Sequence, residues 1–201
     1  MTSPVSREAN ISRNTNETTV ELALNLDGSG ISQIQTGQGF FDHMLDHIAR
    51  HGLFDLTVNA KGDLHIDAHH TVEDVGICLG KAILQAVGEP KGLNRFGHAV
   101  VPMDETLAEA AVDFSGRPYL VFNAALPVGD VGGFDAELVE EFFYAVAMQS
   151  RITLHIELRH GRNLHHCIEG IFKAFGRALR VALQRDPRVQ GVPSTKGMLE
   201  T

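Results

Sequence analysis

Apolar positions along the chain change period several times, and the changes mark its elements. From Ile11 to Thr19 hydrophobic and polar residues alternate, and Val20, Leu22, Leu24 and Leu26 carry the period of two onward. Asp27-Gly28-Ser29-Gly30 predicts a hairpin turn, with Ile31 to Thr36 as the returning strand. A helix is expected from Phe40, burying Met44, Leu45 and Ile48 and stopping at Gly52. Phe54, Leu56, Val58 and Ala60 alternate again. Val72, Val75, Leu79, Ile83 and Ala86 then recur at steps of three and four, predicting a second helix.

The pattern then restarts. Glu105 to Gly116 lies over Glu17 to Gly28 at a constant offset, with Glu, Thr, Ala and Gly coinciding. Pro118 to Asn123 matches the first returning strand, Leu138 to Met148 the first helix, Ile152 to Leu158 the strand after it, and Leu164 onward the second helix. The chain therefore reads as a tandem duplication of an α/β (α+β) half-domain, a sheet covered on one face by helices. The expected division is a flexible start over 1–10, half-repeats over 11–92 and 93–185, and a tail over 186–201. Each half buries one sheet face, so it needs the other half or another chain to complete its packing.

Both second helices open on the same chemistry. His69-His70-x-x-Glu73 in the first half returns as His165-His166-x-x-Glu169 in the second, at an offset of 96. At ~100° per residue His69 and Glu73 share one flank while His70 diverges, and His165, Glu169 and His166 repeat this. Imidazole nitrogen and carboxylate oxygen one turn apart suit a divalent first-row metal. Adjacent histidines cannot easily bind one ion, so two ions, each taking a His/Glu pair from one helix and a lone His from the other, use all six residues. A single copy could be a solvated helix start favoured by the dipole; a duplicate at fixed spacing argues against that.

His43, His47 and His51 form a second stripe, which serves metal or substrate through at least His43 or is simply polar surface. The duplication aligns His43 with Glu141, so each ion would gain a fourth protein ligand and still keep open positions. Ser194-Thr195-Lys196-Gly197 could hold phosphate oxygens or be an ordinary loop, and Arg95, Arg117 and Lys173 are further cations at element ends. Glu17 and Glu105 occupy matching places; Glu17 could move protons or pair with Arg13.

Composition narrows the class of partner. The 201 residues are 43% hydrophobic, and the net charge of -8 argues against general nucleic-acid or membrane-surface binding. No apolar N-terminal run or spanning stretch is present, and Cys78 and Cys167 read as buried thiols, so a reducing cytoplasm is expected.

Taken together, Arg13-Asn14-Thr15-Asn16-Glu17-Thr18, Phe41-Asp42-His43-Met44-Leu45, Asp67-Ala68-His69-His70-Thr71-Val72-Glu73-Asp74, His165-His166-x-x-Glu169-x-x-Phe172-Lys173-Ala174 and Ser194-Thr195-Lys196-Gly197 resemble the imidazoleglycerol-phosphate dehydratase family. The resemblance spans Ile11 to Leu199. It implies four-stranded sheets, two Mn²⁺ ions per active site, and sites built between chains of a large homo-oligomer. One ion would take His43, His70, His165 and Glu169; the other His69, Glu73, Glu141 and His166. Family members carry His or Glu at the place of Glu141. Phosphate would lie among Arg95, Arg117, Lys173, Ser194, Thr195 and Lys196, with Glu17 against the substrate as the proton-transfer group. The implied reaction removes water from imidazole glycerol phosphate in histidine biosynthesis, through an imidazolate stabilised by both ions. A di-metal phosphatase or other hydrolase acting on a small phosphorylated metabolite is the rival reading.

Overall fold

The computed structural model describes residues 6–195 and Leu199, and within them the duplication is literal. The first half runs β1 (Glu8–Asn14), β2 (Thr18–Asn25), β3 (Ser32–Gln35), α1 (Gly39–Gly52), β4 (Asp55–Gly62) and α2 (His69–Val87). The second runs β5 (Phe96–Met103), β6 (Thr106–Asp113), β7 (Tyr119–Asn123), a short β8–β9 ribbon (Asp130–Val131, Phe134–Asp135), α3 (Leu138–Ser150), β10 (Thr153–His160) and α4 (Leu164–Leu183). The sheet orders are β1-β2-β4-β3 and β5-β6-β10-β7, so corresponding strands occupy corresponding places. In each sheet the third strand pairs parallel with the last, and the other pairings are antiparallel.

Two strand expectations need correction. The alternation from Ile11 to Leu26 is two antiparallel strands, not one, because the chain reverses at Thr15-Asn16-Glu17. Thr15 Oγ1 accepts from the Glu17 and Thr18 amides at 3.2 and 3.0 Å, and Thr15 N donates to Thr18 O at 2.9 Å. The inward positions pass from odd (Ala9, Ile11, Arg13) to even (Thr18, Val20, Leu22) across this turn, a one-residue phase slip that reading the period alone does not register. Second, Asp27-Gly28-Ser29-Gly30 turns the chain but makes no hairpin, since β4 lies between β2 and β3. The Asp55 carboxylate takes the Ser29 and Ile31 amides at 2.8 and 3.0 Å, which fastens the loop over the start of β4. Strand β1 also begins at Glu8, inside the stretch expected to be flexible, while 1–5 lie outside the described residues.

Helices from the two halves pack on each other between the sheets. Helix α2 lies on β1 and β2 and against α3; α4 lies on β5 and β6 and against α1. Phe41, Phe134, Phe142, Phe143, Phe172 and Phe175, all buried, join the halves through a chain of edge and stacked ring contacts. Gly80 is what lets α2 approach α3, because a Cβ there would lie 2.7 Å from Val146 O. Each half thus covers the other, meeting the packing need read from the sequence. The pairing also decides which site residues meet: α1 faces α4, and α3 faces α2.

Candidate active site

Helix α1 presents His43 and His47 one turn apart, and α4 presents His165, Glu169 and Lys173. Asn163 caps α4, its side chain accepting from His166 N, which fixes where the His-His pair begins. The Glu169 carboxylate is the centre of this group and is 5% exposed. His165 Nε2 lies 2.9 Å from Oε2 and His43 Nε2 3.3 Å from the same oxygen. Lys173 Nζ and His47 Nε2 hold Oε1 at 2.5 and 3.2 Å. Burial would raise this carboxyl, but the Lys173 hydrogen bond, the charge of His47 and the His165 hydrogen bond outweigh it and hold the group near a pKa of about 2.

His47 is the residue that sequence reasoning passed over. It is buried, its pKa is pushed down to about 4 chiefly by that burial, and its Nδ1 has no hydrogen-bond partner among the described residues. The ligating atoms of His43, His47 and Glu169 all lie within 4.8 Å of one another, imidazole nitrogens and a carboxylate oxygen of the kind a divalent cation takes. The signal in the sequence was its place one turn after His43.

The other expected ligands stand apart from this group. His69 and Glu141 line a cavity of about 970 Å³ with Asp67, Gln38 and Glu140, at the meeting of α2 and α3. Glu73 follows His69 by one turn on α2. His70 faces neither set: its Nδ1 is 3.0 Å from Asp63 Oδ2 and its Nε2 3.8 Å from Glu17 Oε1. His166 repeats this in the second half, with Nδ1 2.8 Å from Glu105 Oε2. Both imidazoles are raised above the usual His value, first by those carboxylate hydrogen bonds. The Asp63 and Glu105 contacts were not read from the sequence, although Glu105 was visible as the counterpart of Glu17.

The eight expected ligands therefore divide into two sets of three and two single histidines. His43, His165 and Glu169 belong to the α1–α4 pair; His69, Glu73 and Glu141 belong to the α2–α3 pair. His70 and His166, each the assigned fourth ligand of an ion, sit beside carboxylates instead. Among the described residues only His43, His47 and Glu169 bring three ligand atoms within 4.8 Å of one another, a donor set that fits a divalent cation; His69 and Glu141 share a cavity whose lining does not include Glu73.

Among the expected phosphate ligands, Lys173 is beside Glu169, so it belongs to the His43 group. Arg95 grips Asp113 with Nε and Nη2, at 2.7 and 3.1 Å, and Arg117 Nη2 is 4.0 Å from the same carboxylate. Arg95 Nη1 donates to Pro193 O at 2.9 Å, so the segment entering Ser194 and Thr195 is tied to this cluster. Lys196 lies outside the described residues. His98 pairs with Glu109 on β6. Among the described residues no helix is long and apolar enough to cross a membrane.

Comparison with known proteins identifies the family. The family model described as imidazoleglycerol-phosphate dehydratase matches residues 36–179. The chain is 61% identical to the imidazoleglycerol-phosphate dehydratase of Symbiobacterium thermophilum, over 96% of its own length and 93% of that protein's. It is equally identical to the Acetivibrio thermocellus protein of the same name, over 96% and 99%. The crystal structure of imidazoleglycerol-phosphate dehydratase from Staphylococcus aureus superposes with a TM-score of 0.81 at 45% identity, covering 89% of this chain and 99% of that one. The Pyrococcus furiosus structure, in complex with (S)-C348, gives the same TM-score at 36% identity, over 94% and 100%. The chain belongs to the imidazoleglycerol-phosphate dehydratase family of hydro-lyases.

Proposed function

We propose that this chain removes water from imidazole glycerol phosphate to give imidazole acetol phosphate in the histidine pathway of the cytoplasm, as a Mn²⁺-dependent homo-oligomer whose sites are shared between chains. The observation that carries the reading is that His43 and His165 converge on Glu169 while His70 and His166, the histidines assigned as fourth ligands, stand beside Asp63 and Glu105 instead. A second copy supplying His70 to the His43, His165 and Glu169 set, and His166 to the His69, Glu73 and Glu141 set, would complete both. Membership in a hydro-lyase family displaces the phosphatase alternative.

Mn²⁺ held by these two sets would supply Lewis-acid stabilisation of negative charge developing on the substrate's imidazole ring. The protein's own side chains do the rest. Lys173 and His47 fix one oxygen of Glu169, leaving the other directed at His43 and His165. Glu17, on the exposed β1–β2 turn beside His70, is the carboxylate placed to take a carbon-bound proton or return one to the departing hydroxyl. Arg95 and Arg117, with Ser194, Thr195 and Lys196, bind the phosphate, which anchors the substrate in a chain whose net charge of -8 would otherwise repel it.

The test is turnover of imidazole glycerol phosphate by purified protein, before chelation, after it, and after Mn²⁺ is restored. Water loss that vanishes and returns with the metal supports the reading. A fully loaded, assembled protein that leaves the substrate untouched overturns it. Glu17→Gln should lower kcat by ~10²-fold or more while the metal content stays the same.

A further inference from the structure

We propose that Asp113 is a positioning residue for substrate binding, one that sets Arg95 between the C-terminal segment and the phosphate; the proposal rests on the phosphate assignment above. Arg95 is held on every side. Its amide donates to Ala182 O at the end of α4, at 2.9 Å, and its carbonyl accepts from Phe114 N at 3.0 Å. Its backbone is left-handed, with φ of 70°, a conformation a non-glycine residue keeps only where its surroundings impose it. The guanidinium lies 4.7 Å from the centroid of the Phe96 ring. Side-chain exposure is 13% for Arg95 and 19% for Asp113, so the pair is largely withdrawn from solvent.

The hydrogen-bond inventory then assigns the roles. A guanidinium offers five N–H groups. Asp113 takes two, at Nε and Nη2, and Pro193 O takes a third at Nη1. Among the described residues the other two have no partner, one on each terminal nitrogen. Arg95 thus holds the backbone immediately before Ser194 and Thr195 and offers its remaining donors to an anion bound beside them. The backbone of Asp113, the last residue of β6, is held between Phe96 on one side and Thr153 on the other. Its second carboxylate oxygen also faces Arg117 at 4.0 Å, so the same carboxylate lies beside both arginines. A free arginine gives up considerable rotamer freedom when it clasps phosphate; here that ordering is already complete.

The experiment uses the assembled, Mn²⁺-loaded protein and compares Asp113→Asn, Asp113→Glu and Arg95→Gln, with substrate kinetics and inorganic phosphate as a competing probe. Asp113→Asn should raise KM and the inhibition constant of phosphate about tenfold or more, the scale of one charge-assisted hydrogen bond, with kcat reduced less than about threefold. Asp113→Glu should recover most of that loss, because it keeps the carboxylate. Should the Asn variant fail to fold, Asp113→Ser takes its place and should raise KM and the phosphate inhibition constant in the same way. Unchanged KM and phosphate inhibition in the Asp113 variants, whether or not melting temperature falls, would make the pair purely structural and overturn the proposal. Arg95→Gln separates the two layers. If it raises KM while the Asp113 variants do not, the positioning role alone fails. If it too leaves KM unchanged, the phosphate assignment fails and takes the proposal with it.

Discussion

The contact between β5 and α4 carries the second half of the site, and Gly97→Ala is the change that tests it. A Cβ at Gly97 would lie 1.9 Å from Ala178 O, 2.6 Å from Ala182 N and 3.0 Å from Ala178 C. All three are backbone atoms of α4, so nothing can rotate away. Real Cβ atoms essentially never come under 3.0 Å, so strand and helix must separate by at least 1.1 Å. That opens the layer where Ala178, Leu179, Ala182 and Leu183 are buried, and it moves the helix bearing His165, His166, Glu169 and Lys173. Overpacking against rigid backbone belongs at the upper end of the usual range, about 3 kcal/mol. For a chain of this size that lowers a urea midpoint by about 1 M or more. The assay is equilibrium urea unfolding at fixed protein concentration with chelator present, so that metal stabilises neither variant. Gly39→Ala is the control: no heavy atom lies within 4 Å of its added Cβ, and it should fall within about 0.5 kcal/mol of the parent. If Gly97→Ala were as mild as Gly39→Ala, the close approach of β5 and α4 would be wrong.

His70→Ala should empty the position shared with His43, His165 and Glu169, and His69→Ala the one shared with Glu73, Glu141 and His166, each leaving about one ion per chain. Metal analysis showing two ions per chain in either variant, or none in both, contradicts the crossed assignment. In metal-free protein, NMR titration should place His166 above 6.5, and Glu105→Gln should return it toward that value; an unmoved titration dissolves the pair. The sign is set by both partners: the raised His contributes fully below 6.5 and is lost as pH rises through its folded pKa, whereas the lowered Glu contributes above 4.5 and is lost as pH falls through its own. Their joint stabilisation is therefore greatest between those two values.

Helices and the duplication were readable because they leave long periodic signals. His69 and His165 recur 96 residues apart at the head of apolar runs, and the structure puts both at helix starts. The turn at Thr15 was overlooked because both strands keep a period of two and only the phase changes, from odd inward positions before it to even ones after it. Insertion of β4 between β2 and β3 was hidden for another reason: strand order depends on tertiary contacts such as the Asp55 carboxylate on the Ser29 and Ile31 amides. In the site, ligand types and spacing were legible, but the surroundings of each were not. His47 reads from the sequence as part of a stripe that either serves metal or substrate or is polar surface, and its burial arises only where α1 meets α4. Lys173 reads as a free cation for phosphate and is found on Glu169, one turn before it on the same helix. Asp113 carries no motif, and its role exists only because strand pairing brings it beside Phe96 and hence Arg95.

Sharing of each site between chains is tested most directly by mixing two inactive variants. Glu169→Ala removes a ligand from the α1–α4 half and His69→Ala one from the α2–α3 half, so each homo-oligomer should be nearly inert. If every site joins the first half of this kind from one chain to the second from a neighbour, random reassembly of equal amounts leaves about one site in four with both halves intact. The account predicts that dehydration of imidazole glycerol phosphate returns to about a quarter of the parent rate after joint dissociation and Mn²⁺ reassembly. Activity that stays at the level of the separate variants, in mixed oligomers shown to contain both chains, would contradict it.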